Sequence, residues 1–267
     1  MSSPMRWESP PTSTNPKATA PMLARIAHEA LRSDGATIVR VISVAVPIRG
    51  EGPPKPEVLR PLAEPGVSDL VVAADESVPE ATLGAWRGAG ASVLVSDHPR
   101  GARLNEAAAS SRGEILLFLH TDTRLPSGWA AAVRQAVDAG AAGGAFHLGF
   151  SGDSPYMAFI ATVANLRTSV TRVPYGDQAP FVRRDLFESL GGFAPWPFLE
   201  DVDFGQRLRR EGRIALLKPP VATSPRRYQE RGITRTVLKN WSILLRWRLG
   251  ASPSDLAEEY RDKRPLA

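Results

Sequence analysis

The sequence predicts an α/β protein with a mainly parallel sheet flanked by helices, and two observations carry that prediction. Apolar, β-branched runs alternate with segments of helical periodicity from residue 37 to residue 138, the pattern of parallel strands joined by right-handed crossovers. The composition, 43% hydrophobic and 23% charged over 267 residues, can close a core of that size and excludes disorder of the whole chain. There is no cysteine. Disulfides, cysteine-ligated metals and thiol nucleophiles are therefore excluded, and any chemistry falls to carboxylates, histidine, hydroxyls or a bound metal.

Residues 1–20 are rich in Ser, Thr and Pro without the basic-then-apolar order of a signal peptide, so they read as a disordered leader, with residues 21–267 as one domain. Leu23, Ile26, Ala27, Ala30 and Leu31 behind Pro21 predict a helix over 21–32. Residues 37–46 are nearly continuous in β-branched types and predict a strand buried on both faces that stops at Pro47. The alternation continues with a helix over 56–63, strand 69–74, helix 79–88, strand 92–96, helix 103–111, strand 114–119 and helix 127–138, with Ser127 as its N-cap. Beyond residue 139 come a strand over 144–150, a helix over 156–169, the polar loop Tyr175-Gly176-Asp177-Gln178 and a short strand over 179–182. Helices over 184–190 and 200–210, a strand over 213–217, a basic turn Arg226-Arg227-Tyr228 and an amphipathic helix over 233–249 complete the chain.

The formal net charge is +5, and residues 207–267 alone hold 15 basic and 6 acidic side chains. Lys supplies 5 of the 33 basic residues, so Arg, a fork-shaped donor suited to phosphate and carboxylate, dominates. An anionic ligand or membrane surface beside this segment is one reading, and a solvated basic face is the other. Nucleic acid is not expected as a partner, because Trp241 and Trp247 fall at helical spacing with Ile233, Val237, Leu244 and Leu245 and are expected to pack inward. No apolar run reaches the roughly 18 residues needed to span a bilayer, so the expectation is a soluble or peripheral protein.

Ligands of parallel sheets sit at the carboxyl ends of the strands, which directs attention to Glu51, Asp75, Arg100 and Asp122 in the loops after residues 46, 74, 96 and 119. The run Leu116-Leu117-Phe118-Leu119-His120-Thr121-Asp122 is a buried strand that delivers a carboxylate. Mg²⁺ and Mn²⁺ take such hard oxygen ligands and share their coordination with substrate phosphates. His120 can ligate Mn²⁺ or support the loop from behind. Glu200, Asp201 and Asp203 open a helix, where the macrodipole favours acids in general. The preceding Phe193-Ala194-Pro195-Trp196-Pro197-Phe198 would wall an apolar pocket around them, and a carboxylate at a pocket's edge can act as general base for a hydroxyl. Gly176-Asp177-Gln178 is by itself an ordinary polar turn.

Taken in order, these residues resemble the family 2 inverting glycosyltransferases of GT-A fold, and most closely a bacterial subgroup labelled arsenosugar-biosynthesis-type. The likeness rests on Arg100-Gly101 with Asn105, on the run from Leu117 through His120-Thr121-Asp122 to Pro126, on Gly143-Gly144-Ala145-Phe146, on Pro174-Tyr175-Gly176-Asp177-Gln178 and on Glu200-Asp201-Val202. Several motifs in fixed order are more specific than any one of them, and together they span roughly residues 42–261.

The resemblance implies a GT-A-like fold with a nucleotide-sugar-binding half over 37–125, an acceptor and catalytic half over 140–225 and basic C-terminal helices over 226–267. It implies a metal-dependent, inverting hexosyltransferase that moves a sugar from a nucleotide-diphosphate sugar to an acceptor hydroxyl. Pro47, Glu51, Asp75, Arg100, Asn105 and Asp122 would bind the donor, with Asp122 and His120 at a Mg²⁺ or Mn²⁺ ion. Asp201 would be the base beside Glu200, and Gly176, Asp177, Gln178 and Trp196 would face the acceptor, which in such enzymes is often lipid-linked. The implied location is the cytoplasm, with peripheral contact to the inner face of the cell membrane. The chain departs from the family in lacking the Asn of Pro-x-x-Asn-Glu at Pro47-Ile48-Arg49-Gly50-Glu51, and in having Asp75-Glu76-Ser77-Val78 for Asp-Gly-Gly-Ser. It also has His120 at the first acid of Asp-x-Asp. Two other readings stand beside this one. A nucleotidyltransferase of related fold wants a Gly-rich phosphate loop, which residues 48–56 with three prolines match poorly. A catalytically degenerate protein holding a membrane surface or another anionic partner would use the basic segment 226–248.

Overall fold

The structure, a computed structural model, describes residues 40–50 and 52–261. The expected leader, the helix over 21–32, the start of the first strand and Glu51 lie outside the described residues.

Strands β1 (Ile42–Ile48), β2 (Val67–Asp75), β3 (Ser92–Ser96) and β4 (Ile115–Phe118) pair in parallel. All seven residues of β1 are buried, as a strand apolar along its length requires. It runs through Pro47, where the sequence predicts its end. Pairing to β4 reaches only Ala45, whose carbonyl accepts from Leu119, so no neighbour on that side needs the N–H that Pro47 lacks.

The remaining strands are β5 (Thr123–Arg124), β6 (Gly143–Phe150), β7 (Phe181–Arg183) and β8 (Ile214–Thr223). They extend the sheet to the order β3-β2-β1-β4-β7-β6-β8-β5. Here the sheet departs from simple alternation: β7 enters antiparallel to both β4 and β6, and β5 lies antiparallel on β8. β8 runs six residues past the expected end at 217 because, after a register shift, β6 pairs with it again from Leu148 opposite Val221 to Phe150 opposite Thr223.

Among the helices, α1 (Pro56–Leu59) continues as a 3₁₀ turn over Arg60–Ala63, and α2 (Glu80–Gly88) follows β2. α3 (Arg100–Ser110) begins three residues earlier than its apolar periodicity suggests, with Pro99 as N-cap. α4 (Trp129–Asp138) is not capped by Ser127. Its N-cap is Gly128 at φ 76, and the carboxylate of Glu64 accepts from the Gly128 and Ala130 N–H groups at 2.7 and 3.1 Å. An anion at a helix N-terminus meets both the free N–H groups and the dipole. Glu64→Ala is therefore expected to destabilise the protein by about 1–2 kcal/mol, with Glu64→Gln in between. Denaturant unfolding checks this, and equal midpoints for all three proteins would remove the long-range cap.

α5 (Pro155–Thr171), α6 (Arg184–Ser189), α7 (Glu200–Leu208), α8 (Arg226–Arg231), α9 (Ile233–Arg248) and α10 (Pro253–Arg261) complete the chain. The expected basic turn at Arg226 is the first turn of α8. Two cores flank the sheet: one holds Trp86, Trp129, Phe146 and Phe181, and the other holds Leu104, Phe118, Phe187, Phe193 and Phe204. A third cluster, with Val173, Leu199, Val202, Ile243 and Leu256, fastens α9 and α10 onto the start of α7.

Candidate active site

The carboxyl end of β4 delivers His120, and its loop is pinned on the far side. The backbone carbonyl of Asp122 accepts from Ser224 N–H at 3.1 Å, and Thr123 Oγ1 donates to Thr223 Oγ1 at 3.0 Å. The carboxylate of Asp122 is thereby turned to the surface, with no hydrogen bond from the described residues. His120 Nε2 lies 2.7 Å from Arg100 Nη2. Guanidinium donates only, so the imidazole accepts at Nε2.

Arg100, at the first turn of α3, also forms an ion pair with Glu200, which is fully buried. One guanidinium thus ties the end of β4 to the start of α7. The approach of these elements is close: a Cβ on Gly101 would stand 2.0 Å from Ala194 O, and Gly101 N–H donates to Trp196 O at 3.0 Å. Only glycine fits there. Leu199, the N-cap of α7, holds φ 63 while buried. A left-handed non-glycine residue costs of order 1 kcal/mol and persists where its surroundings impose it. It aims Asp201 at the polar turn.

Asp201 Oδ2 accepts from Gly176 N–H at 2.6 Å. A Cβ on Gly176 would lie 2.8 Å from His120 Nε2 and 3.0 Å from Asp201 Oδ2, so Gly176 is wedged between the two motifs. The structure therefore brings Arg100, His120, Gly176, Glu200 and Asp201 together. Asp203, the third acid of the run, turns away to Arg207, at 2.8 and 3.0 Å.

The turn itself is held from behind. Gln178, fully buried, accepts from Thr168 Oγ1 at 2.9 Å and Tyr175 N–H at 3.2 Å, and donates to Phe146 O at 3.3 Å. Its side chain shapes the turn from inside the protein. Arg167 lies 3.4 Å over the ring of Tyr175. Burial pushes the Tyr175 phenol above its ordinary value, with the charge of Arg167 opposing. Trp196 is half-buried and meets Trp247 edge-on at 6.4 Å.

Asp75 lies at the end of β2, with Ser77 N–H and Oγ on its Oδ1 at 3.2 and 2.6 Å. Arg49 and Arg103 each stand 3.5 Å from Oδ2. Burial works to raise its pKa, but the Ser77 hydrogen bonds and the two guanidinium charges together hold the carboxyl below its usual range. Arg103, 4% exposed, donates to Ile48 O and Ala73 O and so staples the ends of β1 and β2. Sequence reasoning missed it. Once α3 is seen to begin at Arg100, the i,i+3 spacing puts both arginines on the face toward the strand ends.

Pro47 is buried within β1, and Asn105 stands apart. Both polar atoms of its amide are taken by the backbone of Phe193, at 2.9 Å each, which holds the start of the aromatic wall.

No protein-family model matches this sequence, and none of the curated proteins compared with it matches. Solved structures do. S. aureus TarS superposes with a TM-score of 0.54 at 17% identity, covering 69% of this chain and 36% of that one. Its 1–349 portion in complex with UDP gives 0.50 at 18% identity, over 69% and 60%. A mannosyltransferase, PcManGT from Pyrobaculum calidifontis in complex with GDP-Man and Mn²⁺, gives 0.49 at 19% identity, over 79% and 68%. The chain spans about a third of the length of the first of these. The likeness is one of architecture, and the sheet with its flanking helices has a GT-A-like fold.

Proposed function

We propose that this protein is a metal-dependent inverting glycosyltransferase of family 2 type, transferring a hexose from a nucleotide-diphosphate sugar to an acceptor hydroxyl. The carrying observation is the convergence on one spot of His120, at the end of β4, and Asp201, at the start of α7, with Gly176 between them. UDP in the complex of the TarS 1–349 portion supports a nucleoside-diphosphate donor on this architecture.

In this reading Asp201 takes the proton of the acceptor hydroxyl while Gly176 N–H orients its carboxylate. The oxygen attacks the anomeric carbon from the face opposite the diphosphate, and the configuration inverts. Asp75 and Arg103 form the nucleoside end of the cleft, and Trp196 and Asp177 border the acceptor.

The residues present suit a divalent ion shared with substrate. Among the described residues no group of three or more His, Cys, Asp or Glu could hold a metal alone, but Mg²⁺ and Mn²⁺ bind through one or two carboxylates plus phosphate oxygens. Asp122, with its carboxylate at the surface, would be that ligand, while His120 holds Arg100 through Nε2. Held there, the ion would supply positive charge to offset that of the diphosphate as it leaves.

The experiment is to incubate the protein with a panel of nucleotide sugars and Mn²⁺ and follow release of nucleoside diphosphate. Release of none would overturn the proposal. Asp122→Ala is expected to weaken Mn²⁺-dependent binding of the nucleoside diphosphate by about tenfold or more, measured by calorimetry with and without Mn²⁺. Binding that does not change with either the substitution or the ion would remove Asp122 from this role.

A further inference from the structure

α5 and α9 each present an apolar stripe to solvent. On α5, Tyr156, Phe159, Val163, Leu166 and Val170 follow one another at steps of three and four residues, and Val170 is 76% exposed. The helix rests on β6 through the opposite face, with Met157, Ala161 and Thr168 buried. On α9, Leu238, Trp241 and Leu245, with Leu249 at its C-cap, form a second stripe, with Trp241 68% exposed. This corrects the expectation that Trp241 and Leu245 pack inward: α9 docks through Thr236, Ile243 and Trp247 instead. Contiguous exposed apolar surface of this kind marks a docking site.

Both helices meet at the catalytic turn. Arg167 of α5 stacks on Tyr175, and the same ring packs in the cluster holding Ile243, Leu244 and Trp247 of α9. The charges around the stripes select their partner. Between Asp153 and Asp177 there is no carboxylate, and between Glu230 and Asp255 there is none either, while Arg235, Lys239, Arg246 and Arg248 line α9. Glu259 of α10 pairs with Arg246, but the segment from α9 to the end of α10 keeps an excess of basic residues. A second copy of this chain packed symmetrically on this surface would bring the same basic residues of both copies into one interface, with no carboxylate from α5 or α9 to offset them. A lipid surface with anionic headgroups meets both requirements, since interfacial helices bury an apolar face while basic side chains reach the headgroups. No helix among the described residues is long and apolar enough to cross a membrane, so these helices would lie along the surface.

We propose that α5 and α9 form a two-helix platform that lays the catalytic turn against an anionic bilayer, so that the acceptor is met at the lipid surface. This deepens the reading of the site as a glycosyltransferase. Its test uses no donor, so it fails or stands separately from sugar transfer.

The full chain is co-sedimented with vesicles of phosphatidylcholine alone and of phosphatidylcholine with phosphatidylglycerol, at low and high salt. The expected result is binding to the anionic vesicles at least tenfold tighter than to the neutral ones, weakened by salt. Phe159→Ser with Leu166→Ser on α5, and separately Leu238→Ser with Trp241→Ser on α9, are each expected to weaken it about tenfold with unchanged melting temperature. Unaltered binding by the α5 pair would overturn the platform. So would a failure of the wild-type chain to bind vesicles. A dimer that the substitutions dissociate would then give the stripes to a second copy, and a lowered melting temperature would give them to residues of this same chain.

Discussion

Asp201→Asn is expected to reduce nucleoside-diphosphate release by about a thousandfold while leaving donor binding within a few-fold of wild type. The substitution is nearly isosteric, and an amide oxygen can still accept from Gly176 N–H, now at 2.6 Å from Oδ2. The turn over Gly176–Gln178 should therefore keep its place, since Gln178 anchors it independently through Thr168 and Phe146. What is lost is the ability to take a proton. Asp203→Asn is the matched control. Its carboxylate holds Arg207, whose other donors reach Leu190 O and Gly192 O at 2.7 and 2.8 Å. That substitution should lower stability and leave turnover within a few-fold. Rates measured by nucleotide release and affinities measured by calorimetry separate the two. Asp201→Asn turning over at the wild-type rate would remove the assigned base, and a rate collapse in Asp203→Asn would move the chemistry two residues along α7.

How far the site could be read from sequence depends on whether its cause is local. A hydrophobic strand that stops at His120-Thr121-Asp122 and an acid run at a helix start are patterns within a dozen residues, and the structure puts His120 and Asp201 on either side of Gly176. Strand β3 likewise has the bounds its composition suggests. The antiparallel insertion of β7 has no local signature, because sheet order is decided by pairing between segments far apart in the chain. The two-residue β5 is too short to show a period, and it exists because Thr123 meets Thr223, 100 residues away. α9 is apolar on two sides, and spacing identifies an apolar face without saying which side a neighbour covers. Trp241 faces solvent, although its spacing suits an inward side. Gln178 and Asn105 illustrate the complementary difficulty: a polar residue inside a motif looks the same in sequence whether it faces substrate or, as here, spends its hydrogen bonds on the protein groups around it.

Arg100→Ala carries the largest expected cost in stability. Glu200 is fully buried and its ion pair is with Arg100, whose side chain is 26% exposed. Removing the arginine strands a buried carboxylate, and breaking a buried pair from one side costs about 3–5 kcal/mol. The opposite change, Glu200→Gln, leaves an arginine that keeps its bond to His120 and some contact with water, so it should cost only about 1–2 kcal/mol. The double variant should be more stable than Arg100→Ala alone, because the stranded charge is gone. The same asymmetry should reach the chemistry. Glu200 opens α7, and Asp201 follows it directly, so a displaced Glu200 moves the Asp201 carboxylate, the proposed base, away from Gly176. Arg100→Ala should then lose transfer even at temperatures where it remains folded, while Glu200→Gln keeps more of it. Denaturant unfolding of the three variants, with rates taken well below each midpoint, decides the matter. If Arg100→Ala and Glu200→Gln destabilise equally, the pair is hydrated rather than buried. The link between the end of β4 and the start of α7 would then have to come from Gly176, wedged between His120 and Asp201, and from the close packing of Gly101 against Ala194.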